Sequence, residues 1–152
     1  MQPLHNRRGA RLWFSRIERP YSFAPPPDIG VFALLLVVGD EDVTPEEQSD
    51  LSEQFVRSGC RFAACAGVRC STWDDSIDMV GVMDQVDGKE APFVMTTWHE
   101  DQSLQDLAEY FARDMAYDDW RAENFVALVV GGPPELARRV RSALLRAFAT
   151  DA

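Results

Sequence analysis

Four times along this chain, an apolar run is followed by a polar break and then by an amphipathic stretch that opens on a helix-start signal. The runs begin near Val31, Cys60, Phe93 and Phe125, and the stretches near Thr44, Thr72, Ser103 and Pro133. Two strands joined through a helix come to lie parallel, because only a long crossover returns the chain to the same end of a sheet. The alternation therefore predicts an α/β fold. In detail the expectation is a three-layer α/β/α arrangement with a four-stranded, mainly parallel sheet, like half of a flavodoxin- or Rossmann-type domain. The preferred strand order is 2-1-3-4. The fourth run is more apolar than the third yet falls at the edge in that order. An N-terminal strand beside it, or the order 2-1-4-3, removes the conflict.

The local signals differ in strength. Residues 31–38 read Val-Phe-Ala-Leu-Leu-Leu-Val-Val, apolar on both faces as in a strand buried between two helix layers. Thr44-Pro45-Glu46-Glu47 supplies a capping residue, a first-turn proline and a capping-box glutamate, and Gly59 closes that helix. Residues 62–65 form the second strand. Thr72-Trp73-Asp74-Asp75 resembles a second capping box, with Trp73, Ile77 and Val80 following at helical spacing. Residues 93–98 form the third strand. Ser103 caps a helix with the stripe Leu104, Leu107, Ala108, Phe111 and Met115. Residues 125–130 form the fourth strand, and Gly131-Gly132-Pro133-Pro134 leads into the last helix.

The 152 residues suit one domain, over 29–152, preceded by an Arg- and Pro-rich arm over 1–28. Within the arm, residues 12–17 are a candidate edge strand. The net charge is −10 and unevenly spread. Residues 1–21 hold five arginines against one glutamate, and residues 135–152 hold four arginines against two acids. The stretch between them is strongly acidic. It repels phosphates, which argues against nucleic-acid binding through the body and in favour of a basic protein partner. The longest apolar run, eight residues, is far short of the roughly 20 that span a bilayer, so no membrane role is expected. Arg7-Arg8 is not followed by the apolar segment of an export signal. Three cysteines without a disulfide pattern fit a reducing compartment, and the expected location is cytoplasmic.

Open parallel sheets collect functional groups past their strand C-termini, at the point where the strand order reverses. There the sequence offers Asp40 and Asp42 after the first strand and His99 after the third. In the preferred order Asp40 and His99 occupy neighbouring strand ends. They then form a candidate base with its orienting carboxylate, or, with Asp42, a candidate metal site. Cys70 is a candidate nucleophile on the loop after the second strand. Cys60, Cys65 and Cys70 are spaced by five, which does not suit a shared zinc. Glu46, Glu47, Asp74, Asp75, Asp106 and Glu135 fall in first helical turns, where carboxylates offset the helix dipole. No Walker, dinucleotide-binding, zinc-protease or serine-hydrolase motif is present, and no cofactor is expected. For recognition, Tyr117-Asp118-Asp119-Trp120-Arg121 and Trp73-Asp74-Asp75 mix acids with large aromatics, the composition of a contact patch for a basic partner.

The stretch Thr96-Thr97-Trp98-His99, followed by an acidic turn and the Ser103 helix, resembles a group of small uncharacterised bacterial α/β domain proteins, over about residues 30–148. The resemblance implies a bacterial single-domain protein and carries over no activity. The first functional expectation is a non-catalytic acidic interaction protein, of the immunity or inhibitor type, that binds a basic toxin or enzyme. One alternative is a small-ligand or metal-dependent enzyme using Asp40, Asp42 and His99. The other is an accessory subunit of a larger bacterial complex, held through the arm.

Overall fold

The computed structural model describes residues 1–149; the end of the expected domain, at 152, lies outside them. The elements in chain order are β1 (Gln2–Arg7), β2 (Ala10–Ile17), β3 (Phe32–Val38), α1 (Pro45–Ser58), β4 (Cys60–Gly67), α2 (Cys70–Val86), β5 (Met95–His99), α3 (Leu104–Arg113), β6 (Ala116–Tyr117), β7 (Trp120–Arg121), β8 (Asn124–Val130) and α4 (Pro134–Ala149). The chain is mixed α/β with a mostly parallel six-stranded sheet in the order β1-β2-β8-β3-β4-β5. Only β1 runs antiparallel, against β2.

The four predicted strands are β3, β4, β5 and β8, and their observed order corrects the expectation. They lie third-second-first-fourth, not 2-1-3-4. β8 is interior, between β2 and β3, with Leu36 opposite Leu128 and Phe14 opposite Ala127. Every residue of β3 and β8 is buried, as two continuous apolar runs require. β5 takes the edge instead. Its five residues are all half-buried or exposed, as suits a strand with one neighbour.

The expected N-terminal arm is also corrected. Residues 2–17 form a β-hairpin within the sheet, turned at Gly9 in the left-handed region (φ 82°). Leu12 and Phe14 are buried on one face of β2. Before β3, the longest stretch without regular structure is residues 18–31, which holds Pro20 and Pro25-Pro26-Pro27.

Alternation along the strands sends side chains to two cores. Ala33, Leu35 and Val37 pack with Leu107, Phe111, Val140 and Leu144 from α3 and α4. Phe32, Leu34, Leu36 and Val38 pack with Leu51, Phe55, Trp73 and Ile77 from α1 and α2.

Helix starts follow the sequence in two cases and depart from it in a third. Thr44 accepts from the Glu47 backbone N–H while Glu47 accepts from that of Thr44, completing the capping box, and Gly59 ends α1 with φ 118°. Ser103 accepts from the Asp106 N–H at the start of α3. The capping box expected at Thr72 does not form. α2 begins earlier, at Cys70, with left-handed Arg69 as its N-cap and no side-chain cap. The Thr72 hydroxyl donates to the Arg69 carbonyl instead, at 2.7 Å.

Candidate functional site

The parallel strands all exit at one end of the sheet. The order reverses between β3 and β8, so the switch point lies between the Gly39-Asp40 and Gly131-Gly132 loops. It is closed. Both Gly39 N–H and Asp40 N–H donate to the Val130 carbonyl, at 2.8 and 3.1 Å. A Cβ on Gly39 would stand 2.9 Å from the Gly132 Cα and 2.7 Å from Leu136 Cδ2. Two glycine backbones in direct contact leave no crevice there for a ligand.

Asp40 beside this contact is spoken for. Its carboxylate accepts from the Tyr21 hydroxyl and from the Asp42 backbone N–H, the latter at 2.8 Å. These bonds, with Arg19 nearby at 3.7 Å, hold its pKa below the usual carboxylate value. Burial, and then Asp40, pushes the Tyr21 phenol up. Arg19 donates to both Glu47 oxygens, at 2.7 and 2.9 Å, and to the Asp42 carbonyl. Its bond to Glu47 is the largest influence bringing that carboxyl down to about 2. The cluster fastens the segment after β2 to the start of α1.

His99 does not meet Asp40, because β4 lies between their strands. Two strand spacings put their backbones roughly 9–10 Å apart, which corrects the expected pair. The His99 ring is satisfied locally: Nδ1 donates to Gln102 Oε1 at 2.7 Å, and Nε2 accepts from the Thr97 hydroxyl at 2.8 Å. Tyr110 packs against it at 4.5 Å, and burial lowers its pKa. Both ring nitrogens thus have partners on the same edge of the fold, and neither partner is Asp40 or Asp42. Among the described residues no three His, Cys, Asp or Glu side chains are grouped to hold a metal ion; Asp40 and Asp42 adjoin one another, apart from His99.

An open hollow does lie on the rim, displaced to the β3–β4–β5 side. It measures about 410 Å³ and is lined by Arg69, Cys70, His99, Asp101 and Leu136, among others, but not by Asp40 or Asp42. Cys70 and His99, expected on separate strand ends, are brought together here. The Cys70 thiol points at the His99 carbonyl oxygen at 3.9 Å, not at the ring. Burial raises its pKa, so it stays a thiol at neutral pH. Cys60 and Cys65 are also free and buried, and burial pushes Cys60 up to about 12.

The expected recognition residues divide. Trp73 is a core side chain packed near Phe55, which corrects its assignment as a contact residue. Asp74 is buried as well. Asp75 reaches the surface and lines the groove between α1 and α2. Asp118 and Asp119 sit exposed at the turn of the β6–β7 hairpin, and Trp120 stacks on Tyr117 at 5.3 Å. Tyr117 in turn meets Phe93 edge-on at 5.0 Å.

What the sequence reading missed is the outer side of α2. Met79, Met83, Val86, Phe93 and Trp98 are 52%, 50%, 72%, 61% and 53% exposed, and Val82 is similarly open. These six stand on α2, the segment after it, and the edge strand β5. Among the described residues only two other large apolar side chains, Met1 and Val31, are classed as exposed. The signal was available. α2 carries an inward stripe, Trp73 and Ile77, and a second set on its opposite side, and a helix apolar all round belongs in a buried setting. Its charged residues are Asp74, Asp75, Asp78 and Asp84, with no Lys or Arg.

A family model matches residues 15–147, nearly the whole α/β body. The chain belongs to the family described as a domain of unknown function, DUF7684. The DUF7684 match begins within β2 and runs through α4, so it takes in the closed switch point, the rim hollow and the α2 face alike. Among curated proteins, none matches the chain. Among the described residues, no helix of this DUF7684 domain is long and apolar enough to cross a membrane.

Proposed function

We propose that this chain is an acidic interaction protein without catalysis of its own. It holds a basic surface of another protein, in the manner of an immunity protein or inhibitor that masks a toxin or enzyme. The observation that carries this reading is the concentration of exposed apolar side chains on an α2–β5 face whose helix bears only negative charges. Apolar anchors set among like charges give adhesion through burial and selectivity through charge. The separation of Asp40 from His99 by β4 supports the reading, because the acid–base pair on which an enzymatic role was to rest does not form. Three free buried thiols fit a reducing bacterial cytoplasm as the working compartment.

The test is capture with a photoreactive side chain placed at position 93, followed by titration of the purified captured protein. The expected partner is basic. Its affinity falls steeply as salt rises from about 50 to about 500 mM, because charge steers and tightens the encounter. An acidic partner, or an affinity indifferent to salt, refutes the proposal. If the partner is a toxin, co-expression restores growth.

A second reading is favoured by one observation, the rim hollow of about 410 Å³. It has the size of a small-molecule site and lies past the C-termini of parallel strands, displaced from the switch point. Added divalent metal or a metabolite pool that raises the melting temperature supports it. No shift across such a panel counts against it.

A further inference from the structure

Resting on the interaction reading, we propose that the groove between α1 and α2 receives a basic amphipathic helix of the partner, laid along α2. The groove encloses about 440 Å³. Met79 and Met83, one helical turn apart, line it, together with Ser49 and Glu53 of α1 and Asp75 of α2. Met is the side chain best able to re-shape around an incoming apolar stripe, being unbranched and polarisable. Over the α2 ridge, Val82 and Phe93 line a second hollow of about 370 Å³. An incoming helix with apolar residues at every third or fourth position therefore meets apolar surface along the C-terminal half of the ridge, from Met79 to Val86.

Charge selects among possible occupants. In the groove, Arg57 forks onto Asp84 with two bonds of 2.6 Å, and Asp84 has only 4% of its side chain exposed. That pair cancels at the floor. Glu53, itself 3.8 Å from Arg57, Asp75 and Asp87 remain around it, opposed by Lys89, so the lining holds four acids against two bases, and Asp78 stands on the β5 side of the ridge. A partner with Lys or Arg flanking its apolar stripe complements this rim. A second copy presents the same acids to itself, and an anionic membrane presents more, so both are disfavoured. In length, the exposed apolar part of α2, residues 79–86, runs about 12 Å at 1.5 Å per residue, which seats about two turns of a longer partner helix.

The test uses the full chain and a fluorescent Leu/Lys peptide of about 18 residues with an amphipathic helical pattern. Controls are a scrambled peptide of identical composition and poly-lysine. Anisotropy titrations at low salt are expected to show the amphipathic peptide binding at least about tenfold more tightly than the scramble. Met79→Ser/Met83→Ser is expected to weaken it about tenfold, and Asp106→Asn/Glu135→Gln, on α3 and α4 across the sheet, to leave it unchanged. The Met variant removes exposed side chains, and an unchanged melting temperature confirms that it folds. Equal binding of amphipathic and scrambled peptides, or of wild type and the Met variant, overturns the groove while leaving a charge-driven interaction protein standing. No binding of any cationic probe, poly-lysine included, defeats the broader reading as well. Sedimentation showing a dimer that the Met variant abolishes, or binding to anionic vesicles through the same residues, replaces the proposed occupant and overturns the inference.

Discussion

The closed switch point can be tested by three single glycine substitutions that separate backbone conformation from close approach. Gly88→Ala places a side chain at φ 75° with nothing within 4 Å, so it isolates the cost of the left-handed region, about 1–2 kcal/mol. Gly39→Ala has no such conformational cost. Its Cβ stands 2.9 Å from the Gly132 Cα and 3.0 Å from the Gly131 carbonyl oxygen. Leu136 Cδ2 can rotate aside, but those two backbone atoms can yield only if the β8–α4 loop moves. Overpacking of that kind costs about 1–3 kcal/mol, offset by about 0.4–1 kcal/mol from a stiffer unfolded chain. The expected net loss is about 1–2 kcal/mol. Gly132→Ala combines both penalties, with φ 77° and Gly39 Cα at 2.9 Å, for about 3 kcal/mol in all. Urea unfolding at constant m measures each loss. In a domain of this size the melting temperature falls by about 2–4 °C per kcal/mol. Gly39→Ala as stable as wild type, or Gly132→Ala no worse than Gly88→Ala, would falsify the direct contact and reopen the crevice as a ligand site.

Other expectations follow from the same contacts. Asp40, Glu47 and Asp84 have folded pKa values below their ordinary ones, so their contribution is full above about pH 5 and is lost as pH falls toward about 2. His99, lowered by burial, binds its proton more readily unfolded and adds a loss that starts as pH drops through 6.5. Asp78, raised by burial, opposes this trend over the carboxylate range. The urea midpoint plotted against pH therefore descends on the acid side, and a midpoint that climbs between pH 5 and 3 contradicts the assignment. Replacing Thr44 by Ala removes the α1 cap and costs about 1 kcal/mol, read as a shift in the same midpoint. Deleting residues 1–9 strips only β1 and leaves a folded protein. Deleting 1–17 also removes buried Leu12 and Phe14, worth about 1.5–3 kcal/mol each, and bares the edge of β8; aggregation or loss of cooperative unfolding is the expected result.

The four strand–helix units were legible because each carries its own local chemistry, such as Thr44 with Glu47, Gly59 after α1, or Ser103 before α3. The lateral order was not, since periodicity reports which face of a strand is buried and says nothing of its neighbours. One clue was present: the unbroken apolar run 125–130 belongs inside a sheet, and β8 does lie there. The strand at 12–17 was legible, since Leu12 and Phe14 alternate with Arg11, Trp13 and Ser15 as a strand with one buried face should, and it does lie beside β8; its interior place and its partner β1 were not, because residues 2–7 are mostly polar and half-buried or exposed. The candidate Asp40–His99 pair failed with the order that created it. Arg19, Tyr21 and Glu47 were hidden for another reason. They lie far apart in sequence and meet only once β2 is threaded beside β8. The α2 face is masked in the sequence because the inward Trp73 and Ile77 already satisfy the helical pattern, and Met79, Val82, Met83 and Val86 then fall on the side that pattern assigns to water.

The place of β8 between β2 and β3 has a consequence for synthesis. The N-terminal hairpin emerges from the ribosome first, yet its parallel neighbour is made last among the strands. Until residues 124–130 have been translated, β2 and β3 each present a bare edge to the crowded cell, the kind of surface on which nascent chains join wrongly. The sheet therefore closes in one late event, after residues 124–130 have left the ribosome, and a message truncated before that strand yields a polypeptide that quality control should destroy.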